Sequence, residues 1–387
     1  MMKILMLVWE YPPRKVGGLA THAYNLSFQL SQIGAEVDVI TTSFPGEPTV
    51  EKKNDKLIIH RVETYNYPAY DFINWVMGMN NSILEYTTDL VQKRNFDIIH
   101  AHDWMVIPSA VGLKYMIGRP IVYSVHSTEY GRRNGIHGTM QRLIHETEGW
   151  GTYESEKIVV CSKYMKEHVV WLFNVPEDKL HIIPNGITEP PSVEVDTNFR
   201  RKYAQDSEKI ILFVGRIVDE KGLNVLIGAL PYVHKSGINA KLVVVGDGYA
   251  INRMKEIAWE LGIYDKVYFT GYLSDDELNK VFKISDALAV PSLYEPFGIV
   301  ALEGMINRLP VVVSDTGGLS EIIEDGTNGL KVPPNNSEEL ARRLIALLSD
   351  ESLRKRISEL GYKTAKERYN WGEIAYKTLE VYKKATS

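Results

Sequence analysis

The sequence predicts an α/β protein built from two doubly wound, Rossmann-like parallel-sheet domains facing a central cleft. Three observations lead there. Short runs rich in Ile, Val and Tyr alternate with longer stretches of helical period. The runs are continuously apolar, as strands covered on both faces must be. Residues 184–207 then lose the pattern, gaining prolines and charge, before the alternation starts again. A length of 387 residues suits two domains of ordinary size.

In chain order, the strand candidates of the first half are "KILMLVW", "EVDVITT", "KLIIHRV", "DIIHAH", "PIVYSVH", "KIVVCS" and "LHIIPN", with helical patterns over 21–33 and 72–94. The second half offers "KIILFVG", "AKLVVVG", "KVYFTG", "DALAVPS", "PVVVSD" and "GLKV". The expected domains are 1–190 and 191–365. A closing helix over 366–387, containing "NWGEIAYKTLEVYKKA", should pack back toward the N-terminal domain.

Composition narrows the function. Apolar residues make up 44% and charged residues 24%, and the net charge is −5, so no overall basic field recruits nucleic acid or an anionic membrane. Local basic pairs such as Arg132-Arg133 read as solvated faces. The single cysteine, Cys161, follows the apolar run "KIVV" and should be buried; one thiol makes no internal disulfide, which points to a reducing, cytoplasmic setting. The apolar opening is too short to span a bilayer and reads as a strand, so stable membrane insertion is not expected.

In parallel sheets, ligands bind beyond the carboxyl ends of the strands. After the first run stands "VWEYPPRKVGGLATH". Gly17 and Gly18 would let backbone amides approach an anion at a helix start, with Lys15 adding a formal charge. A plain strand-to-helix turn explains the glycines equally well. The second half repeats the chemistry in "FVGRIVDEKG": Arg216 offers a planar fork and Lys221 a point charge, both suited to phosphate, although a surface Arg beside a helix-flanking Lys is the bland reading. The sharpest signal is "YEPFGIVALEG". Glu295 precedes a helix opened by Phe297 and Gly298, and Glu303 lies inside it; at helical rise their backbones stand up to ~12 Å apart. That is long for a retaining glycosidase pair and suits two carboxylates gripping one extended ligand, with the helix N-terminus between them.

"VGRIVDEKG", "PNGI" and the paired glutamates together resemble a retaining glycosyltransferase of the GT-B fold, in the broad family 4 group. "KVGGLA", "HAHDW" and "VHSTEYG" are similar to signatures of glycogen and starch synthases, and the resemblance runs over essentially the whole chain. It implies that Arg216 and Lys221 bind a donor diphosphate, that Glu303 holds ribose hydroxyls, and that Glu295 contacts the transferred sugar with backbone amides of Phe297, Gly298, Ile299 and Val300. It further implies that His126 sits at the reacting centre near the sugar's 6-hydroxyl, that Asp103 and the Lys15–Gly18 turn face the same point, and that Asn185 lines the cleft near the hinge. Asp247 and Tyr272 are candidates for base recognition.

Other chemistries recede. "GDGYAI" lacks the third glycine of a dinucleotide fingerprint. No Asp-x-Asp occurs, which agrees with a transferase that needs neither metal nor other cofactor. His100 and His102, two apart at a strand end, are expected on opposite faces, which argues against a shared metal. Trp9, Trp75, Trp104, Trp150 and Trp171 read mostly as core, with a sugar-stacking surface as the alternative.

The resulting expectation is a hexosyltransferase moving an α-glucosyl group from UDP- or ADP-glucose to glucan, glycogen synthase-like. The region "VHSTEYGRRNGIHGTMQRLIHETEGW" departs from the synthase pattern, so a sugar phosphate or lipid-linked sugar stays open as acceptor. An epimerase or phosphorylase on the same architecture is the rival enzyme, and a non-catalytic sugar-nucleotide binder the rival class.

Overall fold

The computed structural model describes residues 2–64 and 71–387. The chain forms two compact units, one of residues up to Gly186 together with Trp371–Ser387, the other of Ile187–Asn370.

The first unit holds an eight-stranded sheet: β1 (Lys3–Leu7), β2 (Glu36–Thr42), β3 (Val50–Asn54), β4 (Leu57–Val62), β5 (Ile98–His102), β6 (Ile121–Val125), β7 (Lys157–Val160) and β8 (Leu180–Ile182). Its order is β3-β4-β2-β1-β5-β6-β7-β8. All neighbours run parallel except β3, which pairs antiparallel with β4. β3 is absent from the sequence expectation because "VEKKN" is a polar, largely exposed edge strand without the apolar run that marks the others. The chain leaves β1 toward β2 and later returns to the other side of β1 as β5. That reversal opens a crevice at the carboxyl ends of β1 and β5.

The helix Trp371–Thr386 belongs to this unit, packing on the helix Gly18–Gln32 and on β5, β6 and β7. Tyr382 is fully buried and its hydroxyl meets His100 Nδ1 at 2.7 Å. Trp371 lies so close on Gly186 that a Cβ there would come within 2.5 Å of the indole. Cys161 is buried just past β7. The tryptophans divide: Trp104 is buried, Trp9 and Trp75 meet edge to face at 6.2 Å, and Trp150 and Trp171 stand exposed. Core packing therefore fails for those last two.

The second unit has six parallel strands, β9 (Lys209–Val214), β10 (Ala240–Val245), β11 (Val267–Gly271), β12 (Ala287–Val290), β13 (Val311–Ser314) and β14 (Leu330–Val332), in the order β11-β10-β9-β12-β13-β14. The reversal falls between β9 and β12, so the loops after these two strands flank its crevice. A core of Ile211, Phe213, Leu226, Leu230, Leu242, Val244 and Leu344 seals one face of the sheet. Among the described residues, no helix is long and apolar enough to cross a membrane.

Gly222 ties the two crevice loops together. Its φ is +65°, and a Cβ would fall 2.0 Å from the Pro291 carbonyl oxygen. Gly222→Ala should therefore destabilise this unit by about 2 kcal/mol or more in urea titrations. Wild-type stability in that variant would show that the turn yields without cost.

Candidate active site

In the second unit, Gly215 (φ +148°) bends the chain after β9 and presents Arg216, half exposed, with Nη2 3.6 Å from Glu220 Oε1. A short 3₁₀ turn, Asp219–Lys221, then carries Lys221. Its ammonium donates to Glu295 Oε2 at 2.7 Å, and the same oxygen accepts from Ser292 Oγ at 3.0 Å. The loop after β12 is pinned to this turn by Leu293 N donating to the Glu220 carbonyl at 2.8 Å. So two residues separated by 74 positions meet as a largely buried ion pair, at 23% and 12% side-chain exposure. Fixed in this way, the Lys221 ammonium still has two protons to offer another acceptor.

The helix Ile299–Ile306 starts beside that pair, capped by Gly298 at φ +114°, with no acidic residue in its first turn. A Cβ on Gly298 would strike Leu319 at 2.5 Å, so glycine is required by both backbone and space. Phe297 is buried against Tyr369, while Ile299, Val300 and Glu303 are half-buried. Gly318 backs the loop: its amide donates to the Glu295 carbonyl at 2.9 Å, and a Cβ would meet Phe297 Cα at 2.4 Å. The arrangement leaves a helix N-terminus, an ammonium and a guanidinium in one loop cluster, a setting that stabilises anionic oxygens. Asp247 and Tyr272 lie exposed past β10 and β11. The Asp247 carbonyl accepts from Ile217 N at 2.8 Å, which docks its loop on the turn after Arg216.

In the first unit, the crevice at β1 and β5 gathers histidines. His102 ends β5, His126 follows β6, and His22 sits on the helix Gly18–Gln32. His102 Nδ1 and His126 Nε2 are 3.1 Å apart, and the rings of His22 and His126 meet at 4.7 Å. His22 Nδ1 donates to Asn185 Oδ1 at 2.7 Å, leaving Nε2 as a bare, buried lone pair without a partner. Asn185, expected to line a cleft, is thus buried and spends its side chain on orienting His22. Burial keeps these imidazoles neutral: it holds His22, His100 and His102 well below the usual range and brings His126 down to about 4. Neutral imidazoles suit hydroxyl recognition or metal ligation.

The expectation that His100 and His102 face opposite sides is wrong. Side chains alternate along a strand, so positions two apart share a face, and the two rings lie 4.0 Å apart. His22, His102 and His126 form the cluster, among the described residues, whose ligand atoms all come within 4.8 Å of one another.

Asp103 follows His102 with a φ of +65°, unusual outside glycine, and caps Trp104 N at 3.1 Å. Arg132 overturns its reading as a solvated residue. It donates to Glu129 Oε2 at 3.0 Å and lies 3.4 Å from Glu148 Oε1, and the acidic groups around it, Asp103 included, raise its basicity further. Glu148 is fully buried, with its carboxyl pushed up to about 8 by burial despite Arg132 and the Glu129 amide. The sequence hides this network because Glu148 lies 16 residues from Arg132 and 19 from Glu129, on a different helix. The Lys15–Gly18 turn brings another surprise: Glu10 Oε2 accepts from Val16 N at 2.6 Å and Gly17 N at 3.3 Å. The amides expected to stay open hold the chain's own carboxylate.

Comparison with known proteins agrees with this architecture. Residues 16–189 match the family described as Glycosyltransferase Family 4, and residues 195–364 match Glycosyl transferases group 1. An uncharacterized glycosyltransferase of Methanocaldococcus jannaschii is 42% identical over 99% of this chain and 98% of its own. A glycogen synthase of Mycobacterium tuberculosis is 29% identical over 98% and 94%. Among solved structures, the sucrose-phosphate synthase of Thermosynechococcus elongatus superposes with a TM-score of 0.85 at 22% identity, covering 99% of this chain and 98% of that one. The two switch-point crevices, the twin parallel sheets and the full-length relationship lead to one conclusion: the chain belongs to the glycosyltransferases and has the GT-B fold.

Proposed function

We propose that the protein is a retaining hexosyltransferase that moves an α-glucosyl group from UDP- or ADP-glucose to a glucan. One observation carries this reading: Lys221, held by Glu295 at 2.7 Å, stands with Arg216 at loops beside an acid-free helix N-terminus. Breaking the bond between the sugar C1 and a phosphate oxygen throws negative charge onto the departing nucleotide diphosphate. Fixed cations and amides aimed at that charge are the largest source of rate such a site has. Arg216 and Lys221 take the diphosphate oxygens, with the amides of Ile299 and Val300. Glu303 takes the ribose hydroxyls, and Glu295 orients Lys221 while reaching the sugar.

In the first unit, neutral His126 is able to accept or donate a hydrogen bond at a sugar hydroxyl. An acceptor hydroxyl forms the new bond to C1, and its proton leaves with the released diphosphate. The relative named a glycogen synthase supports glucan as acceptor. A panel of nucleotide sugars against glucan, sugar phosphates and lipid-linked sugars, read by nucleotide release and product configuration, tests the whole reading. Phosphate-dependent glucan breakdown without nucleotide, or release of an inverted product, overturns it.

Arg216→Ala and Lys221→Ala should each lower kcat about 10²–10³-fold with the fold intact; near-normal turnover removes the diphosphate from this loop cluster. Glu303→Ala should weaken donor binding more than it slows turnover, as titration calorimetry with the nucleotide would reveal, and an unaltered affinity moves the ribose elsewhere. Chelation should leave activity unchanged, since cations of the chain itself serve the phosphates. Loss of activity restored by zinc would instead assign a working metal to His22, His102 and His126.

A further inference from the structure

The 15–18 turn poses a problem that glycosyl transfer alone does not answer. Bare amides at a helix start next to a lysine look like an anion site, yet the structure fills them from within. Glu10, 2% exposed, places Oε2 on the amides of Val16 and Gly17. The helix Gly18–Gln32 needs such a partner: its cap, Gly17, has no side chain, and its first turn has no acidic residue to complement the dipole. Burying a carboxyl is costly unless its oxygens are well bonded. Glu10 is thus a remote cap, reaching back from beyond β1 to the amides that a local Ser or Asp would otherwise satisfy.

We propose that Glu10 is a positioning residue for the transfer reaction: its carboxylate is the resident anion of the turn, and by holding Val16 and Gly17 it fixes Lys15 and Gly18 for catalysis. This rests on the glycosyl-transfer reading above.

The chemistry of the carboxyl makes the hold sensitive to pH. Burial pushes Glu10 up to about 7, against the amides of Val16, Gly17 and Ala20, which pull it down. Asp103, facing it from the turn after β5, adds repulsion in the same direction as burial, and Lys15 stands next to the bonded amides. The charged oxygen accepts hydrogen bonds roughly twice as strongly as the neutral one. The hold therefore strengthens as pH rises through about 7 and weakens as pH falls through that value. Stability runs the other way. A carboxyl whose pKa is raised by folding lets the folded state bind more protons, so its contribution to stability declines as pH rises from the unfolded value toward 7. Acid denaturation would move activity and stability together; Glu10 moves them apart.

The experiment has a substrate-free arm and a kinetic arm. In the wild-type protein, the amide resonances of Val16 and Gly17 should titrate with a midpoint near 7, and in Glu10→Gln they should not. In kinetics, the wild-type kcat should fall on the acid side of that midpoint. Glu10→Gln should be flat from pH 6 to 8 and at least about tenfold slower at pH 8, with nucleotide affinity in the second unit unchanged. The double variant Glu10→Gln/Lys15→Ala should be slowed by less than the product of the two single losses, because both act through one turn. Wild-type amides that do not titrate, an acid limb that survives in Glu10→Gln, or losses that multiply in the double variant would each overturn the proposal. If no donor is turned over at all, the transfer reading fails, and the amide titration still decides whether Glu10 holds the turn.

Discussion

Parallel strand direction is the constraint on which the rest of this protein depends. Each strand in a parallel sheet ends on the same edge as its neighbours, so whatever follows a strand gathers on that edge. Glu10 follows β1, Asp103 follows β5, His126 follows β6, Arg216 follows β9 and Glu295 follows β12. No pair of these needs to be close in sequence. The order β4-β2-β1-β5 in one unit and β10-β9-β12-β13 in the other then splits the covering helices to either side at one point, leaving room there for a ligand.

Both units solve the problem of a buried charge by spending neighbouring side chains on it. Lys221 is fixed by Glu295, which Ser292 fixes in turn. Arg132 sits among Glu129, Glu148 and the field of Asp103. Such pairs add little net stability once desolvation is counted. Their effect is geometric: a cation already held in place loses little side-chain entropy on meeting a further acceptor. Neutral histidines do the same work without charge. Asn185 selects the tautomer of His22, and burial keeps His102 and His126 unprotonated, so their lone pairs and N–H groups stay at fixed positions across the ordinary pH range.

Much of this was legible in the sequence, for reasons that are local. Apolar runs revealed thirteen of the strands among the described residues, because burial on both faces demands them at most positions of the central strands. The edge strand β3 escaped, since an exposed strand carries no such demand. Gly298 and the glutamates around it stood out because a helix start at positive φ admits few residue types. Membership of the glycosyltransferases likewise followed from motifs that are contiguous in the chain.

What the sequence could not determine is which of these groups spend themselves on one another. Lys221 and Glu295, read as separate ligand contacts, also pair with each other, and Asn185, read as a cleft residue, also bonds His22. His100 and His102, assigned to opposite faces, share one. Glu10 drew no notice, yet it fills the turn that had looked empty. The physical reason is the same each time. Residue type sets what a side chain can bond, but an acceptor beyond a neighbouring strand becomes a partner only when tertiary packing brings it within three ångströms and removes the water that would otherwise compete.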